Sequence, residues 1–189
     1  MAKLYFYYGA LGSSKTANAL MSAYNYERVN KKVLLAKPSI DTRNGKNVIW
    51  SRIGLKHDCI SLEELMKTSF EVIKEYDCVI IDEVQFATEK QVMFLSDIVD
   101  KLNIPVMCYG LRTDFKGNLF EGSKTLLAIA DTIEEIKTVC WCGKKATFNA
   151  RYNKNGIIKT GSIIELGCED KYVALCRKHY KEGKLFPDT

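Results

Sequence analysis

The stretch KLYFYYGALGSSKTANA, residues 3–19, limits what this chain can fold into more than any other. Leu4 to Tyr8 is an aromatic run that reads as a short buried strand. The turn Gly9-Ala10-Leu11-Gly12-Ser13-Ser14 follows. Then come Lys15, Thr16 and a segment with Ala17, Leu20, Met21 and Tyr24 on one helical face. Strand, Gly-containing loop, Lys-Thr and helix form the context in which a Walker A phosphate loop has mechanical meaning. Loop amides converge on one place, the helix N-terminus adds partial positive charge, and the Lys15 ammonium reaches the outer phosphates. The Thr16 hydroxyl would hold a magnesium ion. The pattern asks for Gly where this chain has Ser14, and an ordinary Gly-Ser turn before a helix is the plain alternative. We expect Ser14 to keep a negative φ, with Gly9 or Gly12 taking any positive φ.

Further along, Lys32 to Lys37 is a second strand candidate, closed by Pro38. The polar segment 39–45 follows a strand end, where open α/β sheets place ligand loops, so Asp41 and Arg43 are candidate substrate groups. Ser61-Leu-Glu-Glu64 is a capping box opening a helix to about Glu75. Cys78 to Ile81 is an apolar run ending in Asp82-Glu83, the Walker B arrangement, which delivers a carboxylate to the sheet edge beside a phosphate loop. Thr88-Glu-Lys-Gln91 is a second capping box, with a helix to about Leu102. Ile104 to Tyr109 reads as a strand, 121–130 as a helix and Thr132 to Val139 as a last strand. This alternation predicts a mostly parallel α/β sheet.

The tail differs. Residues 1–137 carry 18 Lys/Arg against 18 Asp/Glu, while 138–189 carry 10 against 5, so the net charge of +5 lies wholly in the tail. That excess is small for a nucleic-acid surface, and a solvated basic face explains it. Seven cysteines without a secretion signal argue for a cytosolic chain and against a disulfide framework. No apolar run approaches a membrane span. Cys140-Trp-Cys142 and Cys176-Arg-Lys-His179 bring two pairs of ligands together, enough for a tetrahedral Cys3His zinc site, with Cys168 a possible substitute.

Several of these motifs, taken together, carry a resemblance. They are Tyr8-Gly-Ala-Leu-Gly-Ser-Ser-Lys-Thr16, Asp41-Thr-Arg43, Asp82-Glu-Val-Gln-Phe86 and Tyr109-Gly-Leu-Arg-Thr-Asp-Phe115. Cys142-Gly-Lys-Lys-Ala-Thr-Phe-Asn-Ala-Arg151 and Asp170-Lys-Tyr172, leading into Cys176-Arg-Lys-His179, complete the set. Over essentially the whole chain the sequence resembles the cytosolic, zinc-containing (type II) thymidine kinase family. It departs at Ser14, where the family has Gly, and at Cys140, one residue closer to Cys142 than in a Cys-x2-Cys pair.

The resemblance implies a RecA-like P-loop domain over 1–137 and a small zinc-binding domain over 138–189, whose lasso closes over the nucleoside. It implies phosphorylation of the thymidine 5′-hydroxyl by ATP with magnesium, a cytoplasmic homotetramer, and dTTP as feedback inhibitor, with no nucleic acid or membrane partner. By position, Glu83 is the general base and Arg43 steadies the transferring phosphoryl. Residues Gly9 to Thr16 and Asp82 serve ATP and magnesium. Leu11, Asp41, Gln85, Phe86, Leu111, Phe115 and Phe120 belong to the nucleoside site, and Ile163, Ile164, Glu165 and Tyr172 to the lasso. The rival is a P-loop ATPase with a zinc-containing nucleic-acid-binding tail, in which water replaces the nucleoside as acceptor.

Overall fold

The computed structural model describes residues 1–42, 45–163 and 171–187. Expectations for Arg43, Ile164, Glu165 and Cys168 therefore fall outside the described residues. In chain order the elements are β1 (Leu4–Tyr8), α1 (Lys15–Glu27), β2 (Val33–Lys37), β3 (Val48–Trp50), β4 (Lys56–Asp58) and β5 (Ile60–Ser61). Next come α2 (Leu62–Leu65), α3 (Phe70–Ile73), β6 (Cys78–Ile81), a 3-10 turn (Val84–Phe86), α4 (Glu89–Leu102), β7 (Val106–Gly110), α5 (Glu121–Ile129) and β8 (Thr132–Glu135). The tail adds β9 (Phe148–Asn153), β10 (Gly156–Ile158), β11 (Lys171–Leu175) and α6 (Arg177–Glu182).

Six strands form one sheet in the order β5-β2-β6-β7-β1-β8, with every neighbouring pair parallel. Its inner strands bury both faces, as an all-parallel sheet requires, while the edge strands β5 and β8 are partly exposed. Period-two alternation sorts the side chains into two layers. Leu4, Phe6, Val79, Ile81, Val106 and Cys108 face α2 to α5, packing on Leu62, Leu65, Ile73, Leu95, Ile98 and Leu126. Cys78, Ile80, Leu35 and Tyr109 face the other way and pack on Ala19, Leu20 and Ala23 of α1. Strand β7 lies between β1 and β6, the order of a RecA-like P-loop sheet. A second, antiparallel sheet, β10-β9-β11, encloses its own core of Cys140, Ala146, Ala150, Leu175, Cys176 and Tyr180. Among the described residues no helix is long and apolar enough to cross a membrane.

Both capping boxes form. Ser61 and Thr88 accept from the backbone N–H of Glu64 and Gln91, whose side chains accept in return. The helix expected from 61 to 75 is instead two single turns, α2 and α3. The Thr68 hydroxyl and N–H both bond back to the Glu64 carbonyl, and Ser69 then turns extended, with φ −66 and ψ 150, before α3 begins. The last strand stops at Glu135 rather than Val139, and β7 starts at Val106 because Pro105 has no N–H to pair.

The face of α1 is also rotated from expectation. Ala17, Ala19, Leu20 and Ala23 are buried, whereas Met21 and Tyr24 are 52% and 61% exposed. Alanines at 19 and 23 let the helix backbone lie close on the sheet, which their low hydropathy conceals.

Ser14 does not have a negative φ. It sits at φ 61, ψ 26 as the residue entering α1, and Gly12 at φ 75 precedes it. Its side chain makes no capping hydrogen bond that would offset the left-handed backbone. A non-glycine residue there costs about 1–2 kcal/mol, part of which glycine's greater chain entropy would return. Ser14→Gly should therefore raise the unfolding free energy by up to about 1 kcal/mol, read as a higher urea midpoint at unchanged slope. A lower midpoint would contradict the left-handed assignment.

Candidate active site

Gly9 leaves β1 so close to its neighbours that a Cβ would lie 2.3 Å from the Ile136 carbonyl and 2.4 Å from the Ser13 hydroxyl. Only glycine fits this turn. Beyond it the loop curls around Lys15, which is buried and donates to the Ala10 carbonyl at 2.8 Å and to Ser13 Oγ at 3.1 Å. The ammonium thus lies over the loop, at the N-terminus of the 13-residue α1. One residue on, Thr16 Oγ1 donates to Asp82 Oδ2 at 2.9 Å. Asp82 stands at the end of β6, two strands from β1, so the loop motif and the acidic strand end meet as the sequence implies.

Burial, and then the charge of adjacent Glu83, push the Asp82 carboxyl up, while Thr16 and Lys15 act to lower it. A paired hydroxyl and carboxylate of this kind could hold a magnesium ion, which the burial and the second carboxylate both favour.

Glu83 has φ 53, a left-handed backbone that a non-glycine residue holds only under constraint. The constraint is visible. Gln85 Nε2 donates to Glu83 Oε2, and Gln85 Oε1 accepts from the Leu111 N–H at 3.0 Å. Gly110 permits this approach, since a Cβ there would come within 2.7 Å of Gln85 Oε1. Ser123 Oγ of α5 donates to the Leu111 carbonyl at 2.5 Å, and Phe120, the residue before α5, lies edge-on to Phe86 at 5.6 Å between centroids. Gln85, Phe86, Leu111 and Phe120 therefore form one patch beside Glu83.

Phe115 lies further out, 2% exposed, with the Arg151 guanidinium 5.1 Å from its ring centroid and its carbonyl accepting from Tyr180 Oη at 2.7 Å. Tyr172 on β11 and Ile163 are exposed, and Arg151 Nη1 ties the adjacent segment through the Ser162 carbonyl at 2.8 Å. Asp41 is buried, 3.5 Å from Lys37 Nζ, which also donates to the Gly45 carbonyl at 2.8 Å.

Two of these residues escape sequence reasoning. Lys37, 2% exposed, clasps both ends of the 41–45 loop. Its only signal is a cation closing an apolar strand with Asp41 four residues on. Asn149 of β9 accepts from the Leu11 N–H at 2.8 Å and donates to the Thr113 carbonyl at 3.1 Å. Nothing in its residue type marks it.

The donor atoms of Cys140, Cys142, Cys176 and His179 all lie within 4.8 Å of one another. Cys140 Sγ is 3.4 Å from His179 Nδ1, and Cys142 Sγ is 3.9 Å from Cys176 Sγ. Tetrahedral bonds of about 2.3 Å would separate two sulfurs by about 3.8 Å, so this donor set could hold a metal ion. Burial opposes ionisation of Cys140. Bonds from the Cys142 and Cys176 backbone and from His179 outweigh it and bring its thiol down to about 6. The Trp141 ring stacks on His179 at 4.1 Å and fixes the imidazole plane.

A protein-family profile described as thymidine kinase matches residues 2–180. The thymidine kinase of Haemophilus influenzae is 48% identical over 96% of this chain and 97% of its own length. That of Francisella tularensis is 48% identical over 97% and 98%, and that of Rhodopirellula baltica 46% identical over 97% and 90%. Among solved structures, a replication initiator DnaA bound to AMPPCP and single-stranded DNA aligns with 72% of this chain and 41% of its own, at TM-score 0.47 and 16% identity. A likeness that loose bears on neither fold nor activity. Matched by the family profile across 2–180 and by relatives over nearly its full length, the chain belongs to the thymidine kinase family.

Proposed function

We propose that the protein transfers the γ-phosphoryl group of ATP to the 5′-hydroxyl of thymidine, giving dTMP and ADP. The observation that carries this reading is the Thr16–Asp82 contact with Glu83 beside it and the Gln85, Phe86, Leu111, Phe120 patch next in line. Donor loop, basic carboxylate and apolar acceptor surface follow one another in the order that an in-line transfer needs.

In this mechanism the Gly9 to Thr16 loop holds the phosphates, and Lys15 leaves its contact with Ala10 and Ser13 to reach them. Thr16 and Asp82 would hold a magnesium ion, which would neutralise charge on the phosphate oxygens. A primary hydroxyl is a weak nucleophile at neutral pH, so Glu83 takes its proton as attack proceeds. Gln85 fixes the carboxylate through its amide, and Arg43 steadies the transferring group. Leu11, Phe86, Leu111, Phe115 and Phe120 enclose the thymine, with Asp41 and Gln85 as polar contacts. Tyr172 and the 163–165 segment close the lasso, excluding water as a rival acceptor.

We assign residues 1–137 to the kinase domain and 138–189 to the lasso domain, with zinc on Cys140, Cys142, Cys176 and His179 as a structural ion. A cytoplasmic homotetramer and inhibition by dTTP, which joins nucleoside and phosphate tail in one molecule, complete the reading.

Glu83→Gln should lower kcat by about 10²–10⁴-fold while leaving ADP and thymidine binding in place. In the unmodified enzyme, ADP formation should require thymidine. ADP release stimulated by single-stranded DNA without dTMP would contradict the kinase reading.

The purified chain should hold about one zinc per subunit. Cys176→Ser should lower that content and the melting temperature together, measured by metal analysis and calorimetry. Full occupancy in the variant would remove Cys176 from the ligand set.

A further inference from the structure

We propose that Asn149 is a positioning residue for phosphoryl transfer, aligning the phosphate loop with the nucleoside loop through one side-chain amide. The inference rests on the kinase reading above. Asn149 is 4% exposed, and its Oδ1 takes the Leu11 N–H at 2.8 Å while its Nδ2 gives to the Thr113 carbonyl at 3.1 Å. Leu11 belongs to the loop that would grip the donor. Thr113 belongs to the loop that carries Leu111, Phe115 and Phe120.

The chemistry explains why the residue is an amide. One partner is a donor and the other an acceptor, so a short side chain must offer one acceptor and one donor in a fixed plane. Asp keeps only the first, Ala neither. The Leu11 N–H is committed to β9 by this bond, so its role is to orient the loop.

Both ends of the link are stiff. Asp114 Oδ1 accepts from the Lys116 and Asn118 N–H groups, each at 2.9 Å, and Thr113 pairs across to Leu119. A shift at Thr113 therefore carries the loop with it. On the other side, β9 runs antiparallel to β11 with Asn149 opposite Ala174 and Phe148 opposite Leu175, next to Cys176 of the metal cluster. The small sheet is thus a fixed base from which Asn149 holds the two loops in register. Thr138 Oγ1, bonded to the Gly12 carbonyl at 3.4 Å, and Tyr180 Oη, bonded to the Phe115 carbonyl, each secure one loop alone.

A residue that aligns two bound substrates acts on kcat more than on either affinity, because each half-site survives while the distance between reacting atoms is lost. The test compares full-length, metal-loaded enzyme with Asn149→Ala and the near-isosteric Asn149→Asp, with active sites counted by ADP titration. Both variants should lose about 10–100-fold in kcat per ADP-binding site, with KM for ATP and for thymidine each within about 3-fold.

A kcat per site within about 3-fold of wild type in both variants would show a purely structural role and overturn the proposal. A rise in KM for ATP alone at unchanged kcat would also overturn it, by confining Asn149 to the phosphate loop. A wild type that makes no dTMP would remove the kinase reading along with it, whereas an active wild type with unaltered variants removes this proposal alone.

Discussion

The hydrogen bond between Thr16 and Asp82 is the constraint on which the rest of the site depends. The two residues come from strands that are not neighbours, β1 through its loop and β6 at its end, with β7 between them. They meet only because all three strands are parallel and end on the same edge. Parallel strands in turn need helical crossovers, and those need both faces of the sheet to be apolar. The alternating contacts of Val79 and Ile81 with one layer, and of Cys78 and Ile80 with the other, meet that condition in four residues. Asp82 and Glu83 then sit where the buried strand runs out, which places two carboxylates together beside a lysine. Ser14 and Glu83, on either side of that contact, both hold left-handed backbone conformations. Strain of this sort persists only where surrounding contacts over-determine it.

The antiparallel sheet is the second half of the design. Its core is small, and the packing of Phe148 on Tyr180, with rings stacked at 4.3 Å, joins β9 directly to α6, which carries His179 of the Cys/His cluster. A sheet of three short strands gains little stability from burial alone, and a bound metal ion is the usual supplement. Asn149 of β9 and Tyr180 of α6 bond to Leu11 and Phe115, and Thr138, two residues before Cys140, bonds to Gly12, so the small sheet and the cysteine cluster are fastened to the loops that follow β1 and β7.

Much of this was legible in the sequence where a local rule decides the outcome. The aromatic run of β1, the capping boxes at Ser61 and Thr88 and the paired spacing of Cys140, Cys142, Cys176 and His179 depend on residues close in sequence or on strict ligand chemistry. The departures share a different origin. Ser14 takes a glycine-like φ because the loop must turn into α1 there, a tertiary demand that residue type argues against. The face of α1 is set by how closely alanine lets it approach the sheet, and periodicity counts Met21 and Tyr24 as better core residues than Ala19 and Ala23. Thr68 and Ser69 break a helix by bonding to its own backbone, which hydrophobic spacing does not register. Asn149 was invisible for a further reason: it acts through a backbone amide and a backbone carbonyl, and those partners have no side-chain signature.

If the Thr16–Asp82 pair is the magnesium centre of a nucleotide site, magnesium must strengthen nucleotide binding through Thr16. Calorimetric titration of ADP with and without magnesium tests this directly in wild type, Thr16→Ala and Thr16→Ser. The account predicts that magnesium tightens ADP binding about 10-fold or more in wild type, that Thr16→Ala loses this gain, and that Thr16→Ser, which restores the hydroxyl, recovers it. The same magnesium gain in Thr16→Ala as in wild type would contradict it.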